Sequence, residues 1–596
     1  MSAAPSAALY RFLLPTAVFA AALVTFLPGL AGEFLNWDDD VNFLSNRDFR
    51  GLGWSNLRWM ATTTHQGHWI PLSWLTLGAN YALGGMNPWG YHLGNLLIHS
   101  ASAVLFYFAA RRLLGAAGAS GKPALPVGAA FAALLFAVHP LRVESVVWVT
   151  ERRDVLSTFF FLLSALGYLR AVERGSDGRL APAWRGLSVA AFVCALMSKS
   201  STIMLPAALL LLDVYPLRRA TLGWRRLIVE KLPYFALAAA DVLVALFAVQ
   251  QAAKLTGLGT HGVTGRAAIV FYSFFYYPSK LVWPVELSPM YEMPTQVDPL
   301  QPRFLTAMIV VVLVTGALVA LRRRWPGGLA AWTYSVLMIL PLSGVVHTGF
   351  QLVQDRWSYL SGMGFNILAG GGIAWLLDAR ARGRVSVIIA RSATAGAVAA
   401  LLFLAAAAWD QSKVWADSET LWRWAANLDS ECAVCWNNLA HALSGQKRHA
   451  EAEAAYRQVA ALRPMTASLA NNIATALAAQ RKDADAEVML REALRLDSDL
   501  AGALLNLGSY EAQMGRFAEA LAHLRKAYAL DPRFSGSVKE LAQALVAAAD
   551  AERKAGRPGQ AMSLYQEALT VQPGNAQARD GLEALPAGRP ADGPRR

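Results

Sequence analysis

The chain has 596 residues, of which 55% are hydrophobic and nineteen are tryptophan, and its mean hydropathy is +0.33. Such a chain is too apolar for one soluble globule and too long for one domain, so it is predicted to be a polytopic membrane protein with an appended domain. The formal net charge of +13 comes from arginines clustered between apolar runs. It does not form the basic stripe with interleaved aromatics of a nucleic-acid surface, and no nucleic-acid partner is expected.

Eleven apolar runs are predicted to be membrane spans. They lie at residues 9–31, 92–110, 124–138, 154–172, 184–198, 201–215, 232–250, 304–321, 328–345, 358–377 and 391–409. The first is longer than the apolar core of a typical signal peptide and is therefore interpreted as a span. The stretch from Ala267 to Pro284 contains Pro278 and Lys280 and is predicted to be a re-entrant or interfacial helix.

The basic residues between the spans predict the orientation. They fall on one side of the predicted bundle: Arg111, Arg112, Lys122, Arg170, Arg174, Arg179, Arg185, Arg218, Arg219, Arg225, Arg226, Lys231, Arg322 to Arg324, Arg380, Arg382, Arg384 and Arg391. That side, and the N-terminus with it, is predicted to be cytoplasmic. The Arg, Ala and Gly content favours a bacterial inner membrane, with the C-terminal domain in the periplasm, although composition alone leaves the endoplasmic reticulum open.

An acidic stretch, NWDDD, follows the first span directly, at residues 36–40. Its three carboxylates, Asp38, Asp39 and Asp40, are expected at the outer membrane surface, where they are candidates for acid–base chemistry. The D-x-D spacing of Asp38 and Asp40 is also compatible with a divalent metal, which ranks second because nearby cations would neutralise a phosphate.

Polar and aromatic residues later in the same outer region are candidates for binding a sugar or an acceptor. They are His65, His68, Trp69, His92 and Asn95. His92, Asn95 and His99 are spaced three and four residues apart and therefore share one helix face. Such a face at a helix entry also occurs where side chains only satisfy neighbouring backbone groups.

The second outer loop, residues 139–155, contains Glu144 between apolar residues at helical spacing, which predicts a short helix in the membrane interface. A carboxylate there is a candidate for a raised pKa or a simple surface group. Four cations are predicted to reach the same face and to hold a phosphate: Arg152, Arg153, Lys199 and Arg356. Lys199 and Arg356 are exceptions to the charge rule, and such exceptions often serve a ligand.

Carboxylates and cations on one face favour glycosyl transfer. Cations beside a sugar phosphate offset the charge that develops as the bond to the anomeric carbon breaks. A single carboxylate can then deprotonate the acceptor hydroxyl. One base without a covalent intermediate predicts inversion at the anomeric carbon.

The C-terminal part is a repeat with a period of 34 residues. The first copy places large, small and terminating residues at Trp436, Leu439, Ala440, Leu443, Ala452, Tyr456, Val459 and Pro464. Two copies follow at the same spacing, and a fourth is displaced by seven residues, as if its first helix were two turns longer. The pattern is typical of a tetratricopeptide array. Cys432 and Cys435 form a lone C-x-x-C, for which one disulfide or no bond is expected rather than a metal.

The order of these motifs resembles the transmembrane and tetratricopeptide-repeat proteins, which are similar to the protein O-mannosyltransferases of the GT-C superfamily. The stretches that carry the resemblance are NWDDD, HPLRVESVVWVTERRDVLS, DRWSYLSG and the repeat. The resemblance implies transfer of a sugar, mannose in the eukaryotic members, from a polyprenyl-phosphate carrier to a Ser or Thr hydroxyl of a protein. It places the catalytic acid at Asp38 or Asp39, with Glu144 and Arg356 at the later acidic and basic positions.

The predicted fold is an all-α, GT-C-type bundle of about eleven spans over residues 1–412. A tetratricopeptide α-solenoid follows over 413–582, then a disordered tail over 583–596. The expected partners are the polyprenyl-phosphate sugar, membrane lipid, and a protein acceptor or membrane partner held by the repeats. No cofactor is firmly implied. A membrane scaffold, a transporter or flippase, and a transferase acting on a lipid or glycan remain alternatives.

Overall fold

The computed structural model describes residues 12–119, 123–251, 261–345 and 350–585. The chain divides into two compact units, Met1–Cys432 and Ala433–Arg596. Within the described ranges the chain is helical, and the β-structure is limited to one isolated antiparallel bridge between Glu292 and Gln351. The all-α prediction is confirmed. The predicted tail lies outside the described residues from position 586 onwards.

The first unit contains seventeen α-helices among its described residues. They are α1 (Leu14–Thr25), α2 (Trp54–Thr62), α3 (Pro71–Gly84), α4 (Pro88–Ala116), α5 (Ala124–Ala137), α6 (Val143–Val147), α7 (Arg152–Glu173), α8 (Pro182–Leu196), α9 (Leu205–Val214), α10 (Trp224–Gln251), α11 (Gly262–Val282), α12 (Pro302–Ala320), α13 (Pro326–Ile339), α14 (Ser358–Ser361), α15 (Met363–Ala381), α16 (Val387–Val414) and α17 (Ser418–Leu428). Several begin with proline in the first turn, where its missing N–H and fixed φ suit a helix start.

Five helices of the described chain are long and apolar enough to cross a membrane on their own: Pro88–Ala116, Val149–Glu173, Trp224–Gln251, Pro302–Ala320 and Val387–Val414. Two bent pairs, Ala124–Ala137 with Pro140–Val147 and Asp355–Ser361 with Met363–Ala381, raise the number to seven. Each predicted span overlaps a helix of the described chain, and the start of the first, residues 9–11, lies outside the described residues. Fewer than eleven of these helices have the length and composition of a full crossing, because several are short or broken.

Two helices of the bundle core, α5 and α15, cross at glycines. A Cβ built on Gly128 would lie 2.5 Å from the carbonyl oxygen of Gly370, and a Cβ on Gly370 would in turn meet the carbonyl oxygen of Gly128. Small residues at a helix crossing allow the two backbones to approach, which is how helices pack tightly in lipid.

The stretch predicted to be re-entrant or interfacial forms most of one helix, α11, which continues through Pro278. The proline lies about one turn from the C-terminal end at Val282 and removes one backbone hydrogen bond of the helix. Nearby, Ser279 donates from Oγ to the carbonyl oxygen of Tyr276 at 2.7 Å. The expected break is therefore absent, and α11 is not among the helices with the apolar length of a span.

The second unit consists of paired antiparallel helices. They are α18 (Ala433–Gly445) with α19 (His449–Leu462), α20 (Ala467–Ala479) with α21 (Asp483–Leu496), α22 (Ala501–Gln513) with α23 (Phe517–Leu530), α24 (Ser535–Lys554) with α25 (Pro558–Val571), and a final α26 (Ala576–Glu583). α24 has 20 residues, whereas α18, α20 and α22 have 13 each. This is the longer first helix that the displaced fourth repeat predicts.

Candidate active site

Residues 136–158, which include the segment that joins α5 to α7, are all buried. They contain one 3-10 turn at Pro140–Arg142, the short helix α6, and a second turn at Val149–Glu151. The prediction that Glu144 lies on a surface helix in the membrane interface is wrong, because its side chain is 97% buried within the protein. A charged side chain at such a depth needs a partner, and the structure supplies one for each charge described below.

Glu151 is the centre of a buried charge cluster. Its carboxylate accepts hydrogen bonds from Arg153 Nη2 at 2.8 Å and Lys199 Nζ at 2.8 Å, and it lies 3.3 Å from Nε of Arg356. Lys199 also contacts Asp154 Oδ1 at 2.6 Å. Glu151 is fully buried, so it does not itself face a substrate. It fixes three of the four predicted phosphate-binding cations around one point.

Glu144 and Arg356 form a second contact within the same cluster. The guanidinium of Arg356 pairs with the carboxylate of Glu144, and the backbone N–H of Arg356 donates to Glu144 Oε2 at 2.8 Å. The guanidinium also lies 5.2 Å from the ring centroid of Trp148, a cation–π distance. The cluster thus has three cations and three carboxylates, and each cation is held by at least one of these carboxylates.

The anchored cations keep donors that their carboxylate partners do not use. Arg153 bonds to Glu151 through Nε and Nη2, and Arg356 uses Nη1 and Nε. Among the described residues, the structure shows no partner for Nη1 of Arg153 or Nη2 of Arg356. The side chain of Lys199 is 17% exposed and has one further N–H. An anion can therefore be bound by groups whose positions are already fixed.

Asp39 is buried, and both of its carboxylate oxygens accept hydrogen bonds. Oδ2 accepts from the backbone N–H of Leu35 at 3.0 Å, and Oδ1 accepts from the N–H and the hydroxyl of Thr150 at 3.1 and 2.6 Å. Burial raises the pKa of Asp39 to about 7, against the lowering effect of these hydrogen bonds. Asp39 therefore connects the first acidic segment to the buried loop and has no oxygen directed at a ligand.

Asp38 is exposed and has a left-handed backbone conformation, with φ of 65°. A non-glycine residue in this region is strained by roughly 1–3 kcal/mol and marks a site whose surroundings hold it in place. Its carboxylate lies close enough to Arg153 and Asp39 to interact electrostatically with both. Of the two predicted catalytic aspartates, Asp38 is the accessible one, and its charge acts on Arg153 of the cation cluster.

The acidic segment is also braced by α17. The backbone N–H of Asn36 donates to Ser418 Oγ at 2.9 Å, and the indole N–H of Trp422 donates to Asn36 Oδ1 at 2.7 Å. Trp37 packs against Trp422 at a ring-centroid distance of 5.0 Å. The sequence assigns 418–427 to the repeat domain, as a half repeat. The structure places α17 in the first unit, against the residues that precede Asp38.

Arg152, predicted to hold the donor phosphate, faces away from the charged cluster. Its guanidinium bonds to Asn95 Oδ1, to Asn80 Oδ1 at 2.8 Å and to the carbonyl oxygen of Tyr91 at 2.8 Å. It is 98% buried. Neutral oxygens of α3 and α4 hold this arginine, and its role in phosphate binding stays a prediction.

Asn95 and His92, predicted to bind a sugar or an acceptor, are buried in the structure, and that role stays a prediction. Asn95 is fully buried between Arg152 and the carbonyl oxygen of Trp148, to which its amide donates at 3.1 Å. His92 is 97% buried and packs against Gly32, where a Cβ would lie 3.1 Å from Nε2. Both side chains serve the contact between α4 and its neighbours.

His65, His68 and Trp69 lie around a short turn between α2 and α3. The ring of His65 contacts Trp59 and Trp74 at centroid distances of 6.0 and 5.7 Å. The indole N–H of Trp69 donates to the carbonyl oxygen of Ala61 at 2.9 Å, and His68 is exposed. A role of these three residues in binding sugar or acceptor stays a prediction.

Sequence reasoning missed Glu151 and Asp355. Asp355 is buried and accepts hydrogen bonds from the hydroxyls of Tyr276 at 2.8 Å and Tyr291 at 3.1 Å. It directly precedes Arg356 in the chain. The sequence carries the same signal for both residues. Each acid directly precedes an arginine in a segment rich in apolar and aromatic residues. Within the described ranges, no group of three His, Cys, Asp or Glu residues is arranged to hold a metal.

The fold and the site define a multi-span helical membrane protein with a buried charge cluster and a C-terminal tetratricopeptide array. Two tetratricopeptide-repeat family models match the second unit and its border, one at residues 499–573 and the other at 432–463 and 466–496. The crystal structure of YrrB, described as a TPR protein with an unusual peptide-binding site, is 19% identical. Its TM-score is 0.24, and the match covers 28% of this chain and 81% of that one.

Curated proteins similar to this chain are protein O-mannosyl-transferases of the TMTC group. Human TMTC4 is 35% identical over 185 residues, which are 29% of this chain and 25% of that protein. Mouse TMTC2 is 32% identical over 209 residues, or 34% of this chain and 24% of that protein. Human TMTC1 is 32% identical over 203 residues, or 32% and 22%. The resemblance predicted from the sequence is confirmed, and the match spans about a quarter of the length of these relatives.

Proposed function

We propose that the chain is a membrane glycosyltransferase that moves a hexose, with mannose as the first candidate, from a polyprenyl-phosphate donor to a Ser or Thr hydroxyl of a protein. The observation that carries this proposal is the position of Asp38, which is exposed and within electrostatic range of Arg153, one of the cations fixed on Glu151. The likeness to proteins named O-mannosyl-transferases supports the same reaction class.

In this mechanism the donor phosphate lies against the unshared donors of Arg153, Lys199 and Arg356. Because the cations are already held by carboxylates, little side-chain entropy is lost when the phosphate binds. As the bond between the anomeric carbon and the phosphate oxygen breaks, negative charge grows on the leaving phosphate, and these cations stabilise it.

Asp38 acts as the base in this proposal. It accepts the proton of the acceptor hydroxyl while that oxygen attacks the anomeric carbon, and the polyprenyl phosphate leaves from the opposite face. The sugar is therefore transferred with inversion. Asp39 does not contact the substrate but holds the segment through Thr150 and Leu35.

The orientation belongs to the same proposal. The charge cluster and the repeats would face the periplasm of a bacterial inner membrane, and the arginine-rich loops the cytoplasm. The concave surface of a tetratricopeptide array suits an extended peptide, which favours a protein over a lipid or glycan as the acceptor.

The test is transfer by the purified full chain in lipid nanodiscs. Polyprenyl-phosphate donors carrying radiolabelled mannose or glucose are offered with Ser/Thr-rich peptides, with the same peptides in which Ser and Thr are Ala, and with lipid acceptors. Label on the Ser/Thr peptides alone supports the proposal, and the anomeric configuration of the product tests inversion. Label on lipid alone would change the acceptor class, and no label from any donor would favour a scaffold.

A matched pair of variants tests the phosphate site. Lys199→Met removes a clustered cation, whereas Lys413→Met removes an exposed one that pairs with Asp410 at the end of α16. The donor KM should rise at least tenfold in Lys199→Met and stay unchanged in Lys413→Met. Equal KM values in both variants would remove Lys199 from the donor site.

A further inference from the structure

A cavity of about 700 Å³ in the first unit runs along α15 and has its mouth at the end of the bundle opposite Glu151. α7 begins within the charge cluster and reaches the cavity at Phe161, Leu162, Ala165 and Leu169. α15 begins at Met363 and reaches the cavity mouth at Asp378, 15 residues later. At 1.5 Å per residue, the mouth is about 22 Å along α15 from the cluster end. Met363 itself lines the cavity, so the apolar wall extends towards the cluster end, whereas the mouth is separate from the site of the proposed transfer.

The wall of the cavity is suited to a hydrocarbon chain. It is formed mostly by apolar and small side chains, among them Leu113, Leu114, Leu205, Leu209, Ala208 and Gly371. A volume of this size lies within the range of about 300–1,000 Å³ found for small-molecule sites. In a membrane protein, a space with such a wall favours an acyl chain over water.

The mouth of the cavity carries two arginines that are not neutralised. Arg218 and Arg324 line the mouth and are exposed, and among the described residues the structure shows no acidic partner for either. The acid at the mouth, Asp378, is paired with Arg382 at 2.7 Å. The neighbouring Arg219 differs, because it is buried and lies 3.0 Å from a carboxylate oxygen of Asp213.

Two aromatic residues also lie at the mouth of the cavity. Tyr215 and Trp325 line it, and aromatic rings of this kind are enriched where a membrane protein meets the lipid headgroups. An apolar cavity, two unpaired cations and an aromatic border together match one molecule, a lipid with an anionic headgroup. Basic pockets between spans on the arginine-rich side bind such lipids in other membrane proteins.

We propose that this cavity binds one anionic phospholipid, with an acyl chain between α4, α7, α9 and α15 and its phosphate against Arg218 and Arg324. Binding of the lipid stabilises the folded bundle by mass action, since the unfolded chain lacks the site. This inference does not depend on the proposed transfer reaction.

The test uses the purified full chain in detergent, titrated separately with dioleoyl-phosphatidylglycerol, dioleoyl-phosphatidylcholine and a polyprenyl phosphate. Native mass spectrometry counts bound lipids, and thermal unfolding measures stabilisation. One phosphatidylglycerol per chain is expected to bind at least tenfold more tightly than either of the other lipids. Equal affinity for the two phospholipids would overturn the proposal, and tighter binding of the polyprenyl phosphate would assign the cavity to a carrier lipid instead.

Two variants test the headgroup and the chain separately, each with a control. Arg218→Gln/Arg324→Gln should lose the preference for phosphatidylglycerol, whereas Arg322→Gln in the same loop should keep it. Gly372→Phe should block the cavity, because a Cβ at Gly372 meets no atom within 4 Å and this residue lines the space. Gly316→Phe is the control, since a Cβ there is equally unhindered and lies outside the cavity.

Arg324→Gln alone changes one exposed side chain, and it replaces the double variant if that variant does not fold. Binding that is unchanged in both Arg324→Gln and Gly372→Phe would overturn the proposal, as would an equal loss in the two controls.

Discussion

The hydroxyl of Thr150 donates a hydrogen bond to Oδ1 of Asp39 at 2.6 Å, although the two residues are 111 positions apart in the chain. This contact joins the acidic segment after α1 to the buried loop between α5 and α7. It therefore determines where the neighbouring Asp38 lies relative to Arg153.

Replacing Thr150 with Val keeps the shape of the side chain but removes this donor. A buried carboxylate that loses a partner is expected to destabilise the protein by about 1–3 kcal/mol. Thr150→Ser retains the hydroxyl and serves as the control. Thermal unfolding in detergent should place Thr150→Ser near the wild type and Thr150→Val well below it; equal midpoints for the two variants would show that the hydroxyl contributes nothing.

The Glu151→Gln variant leaves the three cations of the cluster with two carboxylates. Removing one partner from a buried ionic cluster is expected to cost about 3–5 kcal/mol of stability. The exposed Glu173, which lies 3.2 Å from the partly buried Arg112, provides the control, and Glu173→Gln is expected to cost less than about 1 kcal/mol.

A double variant separates charge balance from packing in this cluster. Glu151→Gln/Lys199→Gln removes one charge of each sign, so its loss of stability should be smaller than the sum of the two single losses. A coupling of roughly 0.5–3 kcal/mol is expected from a thermodynamic cycle of unfolding midpoints. Strict additivity would mean that the two side chains do not interact across the 2.8 Å contact.

Trp422 and Trp424 allow the brace on the acidic segment to be tested with identical substitutions in one helix. Trp422→Phe loses the bond to Asn36, and Trp424→Phe loses the bond from its indole N–H to the carbonyl oxygen of Leu287 at 2.9 Å. Each should cost about 1 kcal/mol. Transfer activity should fall several-fold only in Trp422→Phe, because only that bond positions the segment carrying Asp38.

The raised pKa of Asp39 predicts how stability depends on pH. The folded protein keeps the proton on Asp39 up to about pH 7, whereas the unfolded chain loses it near pH 4. The stabilising contribution is therefore complete below pH 4 and declines as the pH rises towards 7. Between pH 5 and 7 this decline amounts to about 2–3 kcal/mol at most.

Asp39→Asn does not titrate at this position and is the reference for that measurement. The difference in unfolding midpoint between wild type and Asp39→Asn should shrink from pH 5 to pH 8. A constant or growing difference would place the Asp39 pKa at or below its ordinary value.

The sequence predicts the helices, the repeats and the convergence of Asp38, Glu144, Lys199 and Arg356, because apolar length, period and loop alternation are local properties. It does not predict which polar residues face each other across helices. Arg152 looks like a ligand residue in the sequence, yet it meets Asn95 in the structure. Glu151 looks like an ordinary loop acid, yet it organises the cluster.

The polar face of α4 shows the same limit at His99. Nδ1 of this histidine lies 2.6 Å from the hydroxyl of Tyr359, and Nε2 lies 3.0 Å from the carbonyl oxygen of Ala137. A row of polar side chains at helical spacing predicts a shared face correctly. Whether that face meets a ligand or another helix depends on contacts between residues far apart in the chain, which spacing does not contain.

The most direct test of the account is single-turnover transfer from polyprenyl-phosphate mannose by wild type and Asp38→Asn, with donor binding measured in parallel. Asn tolerates the left-handed conformation and preserves the shape of the side chain. The account predicts that Asp38→Asn binds the donor as the wild type does, unfolds at the same temperature, and transfers sugar at least 10³-fold more slowly. Transfer at the wild-type rate by the folded variant would contradict the assignment of Asp38 as the base.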